Sequence, residues 1–142
     1  MIRAGSMNVN CRFGSKSQMS ATAYRHIRLE QEAGVAHLTF QRPQVRNALI
    51  HEMMVEIGDA IRRVGADRSA RVLVLRGAGG HFCAGGDLNA MVDTPPPAAD
   101  GDDPTLRAYR MFGDVLEELN RLPRAVVAVV EGSCVGGGFG MA

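Results

Sequence analysis

Between Tyr24 and Glu30 the segment YRHIRLE alternates, with Ile27 and Leu29 on one side, and VAHLTF at 35–40 alternates through Ala36, Leu38 and Phe40. A period of two marks a half-buried strand. The intervening EAG at 32–34 suits a turn, so the two segments predict a β-hairpin. Pro43 has no N–H for a ladder and ends the second strand. The period then changes. Leu49, Met53, Ile57, Ala60, Ile61 and Val64 recur every third or fourth residue. That pattern predicts a helix from Ala48 to about Val64, with Asn47 as its N-cap and Gly65 as its stop.

Two short continuous apolar runs follow, RVLVLRG at 71–77 and AVVAVV at 125–130, which read as strands buried on both faces. Between them, Asp103 and Pro104 form a matched N-cap and first turn. The helix they open runs to about Leu122, with Leu106, Tyr109, Phe112, Leu116 and Leu119 on one face and Pro123 beyond its end. Residues 93–104 hold four of the chain's six prolines and read as an irregular loop. Helices alternating with buried strands predict an α/β fold with parallel strands.

Composition narrows the function classes. The 142 residues suit one domain or part of a larger one, and a net charge of +1 gives no electrostatic case for nucleic acid or an anionic membrane surface. No apolar run approaches the ~20 residues of a transmembrane helix. Cys11, Cys83 and Cys134 are far apart, and the four histidines show no HExxH spacing, so neither a disulfide framework nor a metal site is expected. An odd cysteine count without a secretory signal points to a reducing, cytoplasmic setting. Residues 1–18 lack periodicity and read as a disordered leader or extension; residues 19–142 hold the patterned sequence.

In two places a buried strand runs into a glycine-rich turn that opens a helix: VLVLRGAGGHFCAGGDL and AVVAVVEGSCVGGGFGMA. Neither is a nucleotide motif. Gly132 and Gly137 have P-loop spacing, but Gly138 and Phe139 stand where Lys and Ser/Thr are needed. The dinucleotide pattern fails at its third glycine, at Phe82 in the first turn and Met141 in the second. Two converging turns can instead offer two N–H groups to one oxygen, which defines an oxyanion hole. A purely structural role, tight strand-to-helix packing, stands beside that reading.

HFCAGGDL (81–88), RPQVRNAL (42–49) and EGSCVGGGFGMA (131–142) resemble the N-terminal signatures of the crotonase superfamily, the enoyl-CoA hydratases and isomerases. The resemblance runs from about Tyr24 to Ala142 and covers what looks like the N-terminal half of that fold. It implies a crotonase-like ββα spiral of parallel sheets with flanking helices, truncated before the C-terminal helical part. It also implies that Gly86 and Gly137 donate backbone N–H groups to the thioester carbonyl of an acyl-CoA. The CoA moiety would lie near Val45, Arg46 and Ala48 and along Ala84, Gly85, Asp87 and Leu88, with Arg46 able to meet a phosphate. Asp87 also reads as a helix N-cap. Cys83 and Cys134 stand where the resemblance places small packing residues, with no base beside them to make a nucleophile.

One departure is informative. Two-glutamate hydratases of that superfamily carry a Glu where this chain has Gly140. Glycine can neither give nor accept a proton there, and a second carboxylate would fall beyond Ala142. The reaction expected is hydration of an unsaturated, branched 2-enoyl-CoA, with double-bond isomerisation as the alternative. A non-catalytic acyl-CoA-binding protein is the alternative of another class. No cofactor is expected beyond the CoA of the substrate. The resemblance further implies a homotrimer or a dimer of trimers.

Overall fold

The computed structural model describes residues 23–92, 95, 97–98 and 101–142. The expected leader at 1–18 lies outside them, and the 93–104 loop is described only in part. The predicted hairpin is present as β1 (Ile27–Glu32) and β2 (Val35–Phe40), paired antiparallel with Leu29 opposite Leu38. Its turn places Ala33 at φ 50° and Gly34 at φ 83°, the two positive values that a two-residue hairpin turn needs to match strand twist. Strand β3 (Val72–Gly77) lies parallel to β2, and β4 (Ala125–Val129) lies parallel to β3, giving the order β1-β2-β3-β4.

Helix α1 (His51–Ala66) crosses one face of this sheet. Its stripe of Met53, Ile57, Ala60, Ile61 and Val64 packs with Ala36, Leu38 and Phe40 of β2 and Leu73 and Leu75 of β3. All ten are at most 2% exposed, so this is the core that drives folding. Glu56 of α1 accepts from the N–H groups of Arg25 and His26, 2.8 Å each, and ties the start of the hairpin to the helix. Helix α3 (Pro104–Asn120) begins as expected, with the Asp103 carboxylate accepting from Thr105 and Leu106 N–H. Two five-residue helices, α2 (Leu88–Val92) and α4 (Gly137–Met141), follow the two glycine-rich turns.

Three expectations change. Helix α1 starts at His51 behind Ile50, not at Ala48 behind Asn47. Asn47 is in the left-handed region at φ 57°, which places it outside a helix cap, and its side chain is used elsewhere. Neither apolar run is buried on both faces: Val72 and Val74 of β3 are half-buried, and Val126 and Val127, on opposite faces of β4, are 38% and 48% exposed. Along α3, Leu106 and Tyr109 are exposed, and only Val115 is fully buried. The predicted face therefore meets the core only through its second half, from Phe112 onward.

Candidate functional site

The two glycine-rich turns lie side by side. Phe82 N–H donates to Glu131 O (2.7 Å), Cys83 N–H to Ser133 O (2.9 Å) and Val135 N–H to Cys83 O (3.1 Å). A third segment flanks the first turn on its other side. Ala84 N–H donates to Arg46 O (2.9 Å), Leu49 N–H to Gly85 O (2.7 Å) and Asp87 N–H to Leu49 O (2.9 Å). Residues 82–87 are thus clamped between residues 46–49 and 131–135. The approach is close enough to require glycine. A Cβ on Gly138 would lie 2.5 Å from Cys83 O, and one on Gly85 would lie 2.9 Å from Val135 O and 3.4 Å from Gly137 N.

This layout bears on the two N–H groups named from sequence. In a trans peptide the C=O and the next N–H point in opposite directions. Gly85 O is turned to Leu49, so Gly86 N–H faces away from Leu49, toward the side on which the second turn lies. Neither Gly86 N–H nor Gly137 N–H has a hydrogen-bond acceptor among the described residues. The first residue of a helix has no intrahelical acceptor for its N–H, which leaves Gly137 open. The side chains nearest the two glycines are apolar. A Cβ on Gly137 would meet Leu49 Cδ1 at 3.0 Å and Phe112 Cε2 at 3.2 Å, and one on Gly86 would meet Met91 Cε at 3.2 Å.

Polar side chains hold the first turn from behind. Asn47, fully buried, accepts from Arg42 N–H (2.9 Å) and donates to Ala78 O (2.9 Å) and His81 O (2.7 Å). Arg42 pairs with Asp87, Nη2 to Oδ2 at 3.0 Å, with side chains only 14% and 12% exposed. Its Nη1 donates to Ala48 O. The other Asp87 oxygen accepts from Asn89 N–H (3.2 Å) and Ala90 N–H (3.4 Å), the N-cap role expected of it. Burial opposes the Asp87 charge, but the Arg42 hydrogen bond and the N–H groups of α2 outweigh it, and its pKa is held below the ordinary carboxylate value. Cys83 is buried; burial pushes its thiol up, and its Sγ accepts from Gly85 N–H at 3.4 Å. That is a packing thiol, not an activated one.

The structure brings Arg46, Ala48, Ala84, Gly85, Gly86, Asp87 and Gly137 into this one assembly, the first six through the bonded segments above and Gly137 through its close approach to Gly85. Val45 ends a single 3-10 turn (Pro43–Val45) that leads into Arg46. Arg46 has φ 51°, an uncommon backbone state for a side-chain-bearing residue, and its guanidinium has no partner among the described residues. Leu88 is 76% exposed, just past the first turn. Gly140 faces α3, where a Cβ would meet Phe112 Cζ at 3.5 Å and Leu116 Cδ1 at 3.6 Å. Sequence reasoning missed the Arg42–Asp87 pair and the Asn47 bracket. Both partners of the pair sit inside noted segments, but pairing across this distance leaves no periodic signal. Among the described residues no cluster of His, Cys, Asp or Glu is placed to hold a metal ion, and no helix is long and apolar enough to cross a membrane. A separate polar groove of about 290 Å³ lies on the sheet face away from α1, lined by Arg28, Glu30, His37, Arg76 and Glu131 among others. It contains none of the residues named from sequence.

Comparison with known proteins agrees on one family. Residues 30–142 match the sequence profile of the family described as Enoyl-CoA hydratase/isomerase. A probable enoyl-CoA hydratase of Mycobacterium bovis, echA12, is 34% identical over 131 residues, which is 91% of this chain and 44% of that protein. The 1,2-epoxyphenylacetyl-CoA isomerase of Escherichia coli is 36% identical over 112 residues, 78% of this chain and 42% of that protein. Among solved structures, Pseudomonas aeruginosa AtuE superposes with a TM-score of 0.75 at 44% identity, covering 82% of this chain and 44% of its own. An enoyl-CoA hydratase/isomerase from Marinobacter aquaeolei gives 0.76 at 38% identity, covering 82% of this chain and 45% of its own. The chain spans less than half the length of these relatives.

Proposed function

The chain belongs to the enoyl-CoA hydratase/isomerase family, and from that premise we propose that it binds an acyl-CoA thioester and polarises its carbonyl with the N–H groups of Gly86 and Gly137. The observation that carries this reading is the pair of N–H groups without acceptors on two turns held in contact. A thioester oxygen gains negative charge as an enolate forms, and donors fixed in advance stabilise that charge without reorganising. One such donor contributes about 3 kcal/mol to the transition state. The acyl chain would lie against the apolar Leu49, Met91 and Phe112. The CoA moiety would run past Val45, Arg46 and Ala48 and along Ala84–Leu88, with the Arg46 guanidinium, unpartnered among the described residues, available to a phosphate. The scheme uses no cofactor beyond the CoA of the substrate.

The reaction we favour is hydration of an unsaturated, branched 2-enoyl-CoA by a homotrimer or a dimer of trimers. Gly140 supports two further readings, since it supplies no carboxylate: double-bond isomerisation, and acyl-CoA binding without turnover. A panel of straight and branched 2-enoyl-CoA and 3-enoyl-CoA esters separates the three. Loss of the enoyl absorbance reports hydration and its gain reports isomerisation. Tight binding with neither leaves a binding protein. Gly137→Pro deletes the donor N–H at the first position of α4, where helices tolerate proline. Turnover should then fall 10²- to 10³-fold; if nothing turns over, the displacement of the bound thioester carbonyl stretch should shrink. An unchanged value removes Gly137 from the site.

A further inference from the structure

The bonds behind Gly86 form a directed series. Arg42 Nη1 donates to Ala48 O. The same peptide group carries Leu49 N–H, which donates to Gly85 O at 2.7 Å. That second peptide group carries Gly86 N–H, which faces the open side. Two trans peptides are therefore threaded head to tail, with a guanidinium at one end and, at the other, a donor that has no acceptor among the described residues. Each donation to a carbonyl pulls electron density from the N–H of the same peptide and makes it a stronger donor, and a charged donor does so more than a neutral one. Arg42 is held in place for this. Its own N–H is fixed by Asn47 Oδ1, and its Nη2 is anchored on Asp87, the residue next to Gly86. The side chains are shielded from water, so the field of the guanidinium is weakly screened along this path.

We propose that Arg42 is a positioning residue that aims and polarises the Gly86 N–H through the Ala48–Leu49 and Gly85–Gly86 peptide groups. The inference rests on the reading of Gly86 as a thioester donor. No part of it requires Arg42 to touch substrate. A residue with only a structural role would change stability and leave the bound carbonyl as it is. Arg42 should change the carbonyl itself.

The test uses butyryl-CoA labelled with ¹³C at the thioester carbonyl, bound to the complete protein and followed by isotope-edited infrared spectroscopy. Arg42→Gln alone would leave Asp87 as an unpaired buried charge and endanger folding. The double variant Arg42→Gln with Asp87→Asn removes both charges and keeps an amide pair. Arg42→Lys keeps the charge but loses the fork. In the wild type the carbonyl stretch should move to lower frequency on binding. In the double variant, measured at saturating butyryl-CoA, that displacement should shrink by at least half, with about a tenfold loss of kcat on any ester the wild type turns over. Arg42→Lys should fall between the two. A folded double variant that displaces the carbonyl as far as the wild type does overturns the role of Arg42 alone. A wild type that binds butyryl-CoA with no displacement overturns the thioester reading, and this inference with it.

Discussion

The two glycine-rich turns begin alike, strand into turn into short helix, yet they are held in different ways. The first, from Gly77 to Leu88, has neighbours on both sides and a polar bracket behind it: Asn47 on Ala78 and His81, and Arg42 on Asp87. The second, from Glu131 to Met141, leans on the first through three backbone hydrogen bonds, a fourth from Ser133 N–H to His81 Nδ1 (3.1 Å), and the close packing of Gly132 and Gly138. Its other side is open in part, with Val135 and Phe139 55% and 74% exposed, while Gly137 and Gly140 lie against Phe112 of α3. The first turn thus has a bracket of buried polar side chains in addition to its backbone bonds. The second is held mainly by backbone contact and small residues, with the His81 imidazole its one side-chain hydrogen-bond partner on the first turn among the described residues. The two donors proposed to share one thioester oxygen should then fail by different routes.

The largest expected effect lies in the first turn. Asn47→Ala deletes three hydrogen bonds at a fully buried position and leaves Arg42 N–H, Ala78 O and His81 O without partners. At about 1–3 kcal/mol for a group left unsatisfied, with partial relaxation, the loss should be about 4 kcal/mol in urea unfolding. Gly138→Ala should cost less, about 2 kcal/mol, because its Cβ must push the Cys83 backbone away rather than orphan polar groups. Its signature differs too. By separating the turns it should reduce polarisation of a bound thioester in a protein that remains folded. Equal stability losses, or a Gly138→Ala protein that polarises the carbonyl normally, would break the distinction between the turns.

Acid provides a milder probe of the first turn. Asp87 has a folded pKa below its unfolded value, because the Arg42 pairing and the α2 N–H groups outweigh burial. A group of that kind contributes stability that is present above the unfolded pKa and is lost as pH falls through the folded one. The window therefore lies at and below about pH 4, the ordinary carboxylate value. Urea unfolding from pH 6 downward should show the wild type losing stability more steeply there than Asp87→Asn. Asp59 and Asp67 have lowered pKa values as well, but they are unchanged in the variant and cancel in the difference. Parallel curves would show that Asp87 is not linked to folding.

How far these features were legible follows from what each depends on. The hairpin, the α3 start at Asp103 and the stripe of α1 depend on residues near in sequence, and periodicity and capping chemistry expose them. The exposure of β4 does not, because an edge strand and a central one can share the composition AVVAVV. Asn47 misled because asparagine favours both helix N-caps and the left-handed region, and only the buried carbonyls of Ala78 and His81 decide between them. The likeness of the two turns was visible locally, and the resemblance of three segments to one superfamily tied them together. The Arg42–Asp87 pair had no such signal, since any surface arginine would look the same in sequence.

The smallest expected effect isolates what the second turn asks of its glycines. Gly140 stands two residues after Gly138 in the same short helix, but a Cβ there would make only ordinary contacts, at 3.5 Å to Phe112 and 3.6 Å to Leu116. Its N–H bond to Gly136 O, 3.2 Å, is unaffected by a side chain. Gly140→Ala should therefore raise stability by about 0.5 kcal/mol, through the backbone entropy that glycine loses on folding. The opposite signs at Gly138 and Gly140 would show that, of these two glycines of α4, only Gly138 is pressed against the first turn. Gly140→Glu starts from the same uncrowded position and places a carboxylate where two-glutamate hydratases carry one. If it folds as Gly140→Ala does, packing does not require the glycine at 140. A loss of 2 kcal/mol or more in either variant would mean that Phe112 and Leu116 close over this position, and that the second turn is as crowded at Gly140 as at Gly138.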